Sequence, residues 1–152
     1  MAELTNREIV ERFMQAMSTS DLDLADQCLA DEMVEDYPQS GERIRGRANR
    51  RAVIENYPGR AERAFVPGKV RTVVGDDQWV MTPSMSLVRI NGSGERFTTT
   101  GQITYPNGQT WHIIQLLELR GGKIVRLTTY LAEPFEAAPW RAQWVERTPA
   151  PD

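Results

Sequence analysis

Five segments in the second half of the chain, residues 69–74, 78–90, 95–105, 109–119 and 123–131, are rich in Val, Ile, Thr and aromatic side chains. Each is parted from the next by a few turn formers: Gly75-Asp76-Asp77, Asn91-Gly92-Ser93-Gly94, Pro106-Asn107-Gly108 and Gly121-Gly122. β-Branched and aromatic residues fit a pleated strand, and Gly, Asn and Asp accept the backbone angles that tight hairpins need. Connections this short join antiparallel neighbours, because a parallel crossover takes about a dozen residues or more. The pattern predicts an antiparallel meander. Pro83 cannot donate to a ladder, so it predicts a bulge or edge position where the sheet bends. A sheet curved in this way, with helices against its concave side, encloses a cavity that a flat sheet would fill with its own side chains.

The first third carries helical signals. Thr5 followed by Glu8 makes a capping box, after which Ile9, Val10, Phe13, Met14 and Met17 recur on one stripe. Ser20 and Asp21 offer caps for a second short helix through Leu22, Leu24, Ala25, Cys28 and Leu29, ending near Asp31. Residues 33–37 suit a brief strand, 38–41 a turn, and 46–57 a third helix that Pro58-Gly59 terminates. Arg45, Arg47, Arg50 and Arg51 sit among Glu42 and Glu55, a pattern read as a solvated helix face. The tail, residues 134–152, carries Phe135, Pro139 as a first helical residue, and the Trp140–Trp144 pair, expected to cap the core or a dimer.

The length of 152 residues suits one α+β domain, 1–152. Eighteen Lys plus Arg against 21 Asp plus Glu leave a net charge of −3, so nucleic acid and anionic lipid are not expected partners. Neither a basic leader with an apolar run nor a stretch long enough to span a bilayer is visible, which predicts a cytoplasmic compartment and no membrane. One histidine cannot build a zinc site, and there is no Gly-rich nucleotide fingerprint, so neither metal nor cofactor is expected. Cys28, among Leu24, Ala25 and Leu29, reads as a core residue. Residues 111–119 are apolar on both alternating faces; the helices can cover one, and the other predicts a homodimer through the sheet.

Ser20-Asp21-Leu22-Asp23, Leu29-Ala30-Asp31-Glu32, Val34-Glu35-Asp36, Gly46-Arg47 and Gly122-Lys123-Ile124-Val125 with Tyr130 resemble motifs of the nuclear transport factor 2-like (NTF2-like) and SnoaL-like superfamily. Polyketide cyclases, limonene epoxide hydrolases and ketosteroid isomerases are among its members. The resemblance covers nearly the whole chain and implies a cone-shaped fold, three N-terminal helices packed on a strongly curved, mostly antiparallel sheet around a ligand cavity.

Val34-Glu35-Asp36 is similar to the isomerase segment whose aspartate moves a proton, which implies Asp36 as the catalytic base. Strand alternation puts Val34 and Asp36 on one face and Glu35 on the other; if Val34 faces the core, Asp36 enters an apolar pocket, which disfavours its charged form. Beside Tyr37-Pro38 the same residue could instead cap a turn or pair with Arg43 or Arg45. The isomerase oxyanion hole sets hydrogen-bond donors against the developing enolate. Here Phe13 stands at its first-helix position and Gln115 at its fourth-strand position, so Gln115 is the second catalytic candidate, as a donor. The epoxide hydrolase aspartate before the last-strand aromatic is replaced by Thr129. Phe13, Met17, Tyr105, Trp111 and Tyr130 are candidates for lining the pocket, and His112 points away from Trp111 and Gln115. The expected function is general acid/base chemistry of the isomerase, cyclase or lyase type on a small hydrophobic, cyclic or carbonyl-bearing molecule. The alternative is a ligand-binding, dimerisation or adaptor module without catalysis.

Overall fold

The structure, a computed structural model, describes residues 2–57, 84–104 and 109–148. Helix α1, Asn6–Thr19, starts at the capping box: the Thr5 hydroxyl accepts the Glu8 N–H while the Glu8 carboxylate accepts the Thr5 N–H. Its stripe buries Ile9, Val10, Phe13, Met14 and Ala16. Ser20 ends the helix in the left-handed conformation, and Asp21 caps α2, Leu22–Cys28, by accepting the Leu24 N–H. Helix α2 stops at Cys28 rather than near Asp31, because Leu29 already pairs with Ile124 in the sheet. Strand β1 is therefore Leu29–Tyr37, longer than expected from residues 33–37 alone. A short strand not foreseen in the sequence, β2 (Glu42–Arg45), follows the turn and leads through Gly46 into α3, Arg47–Glu55.

Strands β3 (Ser84–Ser93), β4 (Arg96–Thr104), β5 (Thr110–Arg120) and β6 (Lys123–Ala132) form the meander. The sheet runs β2-β1-β6-β5-β4-β3, with β1 parallel to β6 and every other pair antiparallel. It is curved and not closed, and register shifts interrupt the β1–β6, β3–β4 and β5–β6 ladders. Extra residues of this kind bend a strand and raise its twist. The expectations for Pro58-Gly59, residues 69–74, Pro83, Tyr105 and the turn at 106–108 lie outside the described residues.

Two apolar clusters occupy the concave side. The larger joins Phe13 and Met14 to Leu29, Met33, Phe97, Leu117 and Leu127; the smaller, toward the other end of β4 and β5, holds Ile103, Trp111 and Ile113 with Leu131 against it. Burying a side chain the size of Phe13 contributes about 1.5–3 kcal/mol, so the α1 stripe is what fixes the helix on the sheet. Along β5 the burial alternates without a break from Trp111 to Leu119, and His112, Ile114, Leu116, Glu118 and Arg120 face outward. The tail departs from expectation. Residues Pro139–Trp144 form a 3-10 helix, in which positions four apart no longer share a face, and Trp140 and Trp144 are more than 70% exposed rather than capping the core. Among the described residues no helix is long and apolar enough to cross a membrane.

The β3–β4 hairpin tests this register. Gly92 has φ +127°, and a Cβ there would meet the Arg96 carbonyl oxygen and lie 2.7 Å from Phe97 Cα, whereas Gly94, φ +62°, faces open space. Gly92→Ala should lower stability by at least about 2 kcal/mol and Gly94→Ala by about 1, read as denaturant midpoints at unchanged slope.

Candidate active site

Strand β1 alternates as expected, but with the opposite parity. Met33, Glu35 and Tyr37 turn toward the concave side; Glu35 is 1% exposed, and Asp36 lies on the other face. The pairing of Glu35 with Leu127 and of Asp36 with Thr128 sets this register. Val34 is an unreliable core marker here because the bulk of Met33 and Tyr37 is worth more inside, and because Arg50 makes it possible to bury a charge at Glu35.

Of the two placements open to Asp36, the structure shows the pairing with Arg43 and not the one inside an apolar pocket. Its carboxylate accepts Arg43 Nε at 2.6 Å and Nη2 at 3.0 Å, and Arg126 Nη2 at 2.9 Å. Arg43 is its cross-strand partner on β2. Hydrogen bonds from Arg43 and then Arg126 hold the Asp36 carboxyl far below the usual carboxylate range, the reverse of the shift a general base needs.

Helix α3 supplies the second correction. Arg50, expected on a solvated face, is 3% exposed. Its Nε donates to Glu35 Oε2 at 2.9 Å, its Nη2 reaches Met17 Sδ at 3.2 Å, and its guanidinium lies 5.2 Å from the centroid of the Phe13 ring. Arg51 does remain at the surface, holding Asp23, Asp26 and Glu55. The overlooked signal was helical spacing: Arg50 shares the stripe of Arg47 and Ile54, the inward side of α3.

A polar belt crosses the concave face between the two apolar clusters. Thr99, Gln115 and Thr129 are direct register partners on β4, β5 and β6, each at most 3% exposed, and Glu35 completes the row on β1. Thr129 Oγ1 donates to Glu35 Oε1 at 2.9 Å, and Gln115 Nε2 donates to Thr129 Oγ1 at 3.2 Å. A carboxylate in an ion pair only accepts, so the single threonine proton goes to Glu35, and the hydroxyl must accept from Gln115. This chain orients the amide and leaves Gln115 Oε1 buried with no partner. An unpaired buried acceptor costs about 1–3 kcal/mol. Gln115 thus stands in the interior as expected, but presents an acceptor where a donor was expected. Tyr37, half-buried at the end of the row, has its phenol pushed well above the usual tyrosine range by burial and then by the Glu35 charge, partly offset by Arg50. It keeps its proton at neutral pH.

Of the other expected residues, Phe13 and Met17 meet at Arg50, and Trp111 is buried in the smaller cluster. Tyr130 faces outward at 37% exposure, away from the belt, because it pairs with outward-facing Ile114. Tyr105 lies outside the described residues. His112 is exposed on the outer face. Two clefts, of about 470 and 430 Å³, lie elsewhere: one between α1, Cys28 and Gly121-Gly122-Lys123, the other beside Ser20–Asp23 and Arg51. Among the described residues no three potential metal ligands converge.

The SnoaL-like domain family matches residues 10–127. An NTF2-like protein of unknown function from Burkholderia xenovorans is 33% identical with a TM-score of 0.73, the match covering 95% of each chain. A putative ketosteroid isomerase from Kribbella flavida has a TM-score of 0.74 at 21% identity, covering 95% of this chain and 90% of that one. An LEH-like epoxide hydrolase from M. tuberculosis has a TM-score of 0.60 at 19% identity, covering 83% of this chain and 81% of that one. The last two likenesses show the fold alone. No curated protein matches the chain.

The two carboxylates should respond differently to substitution. Removing one partner of a buried ion pair costs about 3–5 kcal/mol, so Glu35→Gln and Arg50→Met should each destabilise by that order, and the double variant by clearly less than their sum, in a denaturant-unfolding cycle. For Asp36 the folded pKa is depressed. Its contribution is present above the unfolded value of about 3.9 and is lost as pH falls toward the folded one. The stability gap between wild type and Asp36→Asn should therefore close below about pH 4, and should shrink with added salt because both arginines are half-exposed.

Proposed function

The chain belongs to the SnoaL-like domain family, and from that premise we propose that it is a small-molecule enzyme that moves a proton at the concave belt. In this reading Glu35, not Asp36, is the carboxylate that accepts the proton. Arg50 and Thr129 hold it in place, protonated Tyr37 stands beside it as a donor, and Phe13, Met17 and Trp111 supply apolar surface. The substrate class is a hydrophobic cyclic or carbonyl-bearing metabolite, and the reaction type is isomerisation, cyclisation or elimination. The observation that carries this reading is the carboxylate of Glu35, 1% exposed, set in a polar row between two apolar clusters on the concave side of the sheet. Such a setting, apolar walls with a few placed polar groups, is what small-molecule sites share.

A second reading, a binding module without catalysis, is favoured by the engagement of Glu35 by both Arg50 and Thr129. Turnover separates the two. Across a panel of cyclic epoxides and β,γ-unsaturated cyclic ketones, each with and without a ring hydroxyl, an enzyme should show a rate that Glu35→Gln lowers by about 10²–10⁴, whereas Asp36→Asn should stay within a few-fold of wild type. Binding of these compounds with no turnover in wild type would favour the module.

We also propose a two-fold dimer through the outer face of the sheet. Ile114, Leu116 and Tyr130 stand there side by side at 36–44% exposure, with Thr98, Thr100 and Thr128 as their register partners. Light scattering at micromolar concentration should report a dimer, and Leu116→Glu should shift it to monomer by placing like charges against each other across the axis.

A further inference from the structure

The free acceptor in the belt bears on what the site binds. We infer that Gln115 Oε1 selects ligands through a hydrogen-bond donor, an O–H or N–H group on a hydrophobic ring system, and that Thr129 sets this polarity as a positioning residue. The inference rests on the reading of the belt as a ligand site. It changes the part played by Gln115, which by position alone would donate to a carbonyl or enolate oxygen.

The polarity follows from proton counting. Arg50 makes Glu35 one half of a buried ion pair, so its oxygens accept and do not donate. Thr129 has one proton, spent on Glu35 Oε1 at 2.9 Å, and therefore turns a lone pair to Gln115. Only the Nε2 end of the amide satisfies that lone pair, at 3.2 Å. Rotating the amide by half a turn would set its carbonyl against the Thr129 oxygen, two acceptors with no proton between them. The Oε1 end is thus locked outward from the relay, and it is the one side-chain polar atom among the described residues that is buried without a partner. Its neighbours along β5 on the same face are Ile113 and Leu117, and across the ladders Thr99 and Thr129. A ligand oxygen lacking a hydrogen would meet Oε1 as one acceptor against another in an apolar setting, where that repulsion is strongest. A hydroxyl or amine would complete the row. A site built around a hydrogen bond discriminates sharply against an analogue that lacks it, because the protein group is then left unpaired.

The test compares two probes with one ring system, 2-naphthol and 2-methoxynaphthalene, by calorimetric titration. Wild type should bind the naphthol about tenfold tighter or more. Gln115→Leu should erase the preference by weakening the naphthol alone. Thr129→Val frees the amide to turn and should shrink the preference to within about threefold; Thr129→Ser, which keeps the hydroxyl, should restore it. A role of Thr129 in stability alone would lower both affinities together and leave their ratio unchanged. Equal affinities in wild type would mean that water satisfies Gln115 and would overturn the inference while leaving a binding site. Failure of both probes to bind would overturn it together with the ligand-site reading. A donor preference without turnover of the panel above would uphold the inference and remove only the catalysis.

Discussion

The buried ion pair between Glu35 and Arg50 ties the layers of this protein together. Glu35 sits on β1, the one strand whose neighbour β6 runs parallel to it, and Arg50 sits on α3, so their bond fastens the third helix to the sheet. Neither charge would be tolerated in that position alone. Arg50 also covers the Phe13 ring and touches Met17, which brings α1 into the same contact. Replacing a buried ion pair by well-packed apolar side chains is often neutral or stabilising. Its presence is therefore better understood as setting up a polar interior than as supplying stability.

The rest of the concave face follows from that pair. Once a carboxylate is fixed inside, Thr129 has an acceptor for its proton and Gln115 has an acceptor for its amide, and the row extends across three strands with each bond setting the direction of the next. The row ends on an oxygen with nothing to bind. The polar row separates the cluster that holds α1 to the sheet from the one built on Trp111. On the opposite face Asp36 is engaged just as fully, but by two half-exposed arginines, so the neighbouring carboxylates of one strand end in different surroundings. One meets a buried partner and a hydroxyl; the other meets solvent-screened charge.

Much of the architecture was legible in the residues. The capping box at Thr5 and Glu8, the stripe from Ile9 to Met14 and the alternation of β5 rest on local geometry, and each stands in the structure close to where its pattern put it. The family resemblance rested on motifs that specify fold, and the family match and the structural neighbours agree with it. The tail misled because i, i+4 spacing was read as an α-helical face, and six residues opened by proline wound more tightly instead. The end of α2 was misplaced because sheet pairing at Leu29 outweighs helix propensity.

Periodicity by itself determined that Glu35 and Asp36 would part company, one to each side of the strand, since successive side chains on a strand point to opposite faces. Which of the two would go inside was a tertiary decision. It depended on β6 meeting β1 in one register and not its neighbour, and on an arginine 15 residues away along the chain arriving to neutralise the charge. A register slip of one residue exchanges the faces at no change in the pattern of the strand itself. The energy that chooses between them lies in contacts between segments that the linear sequence keeps apart.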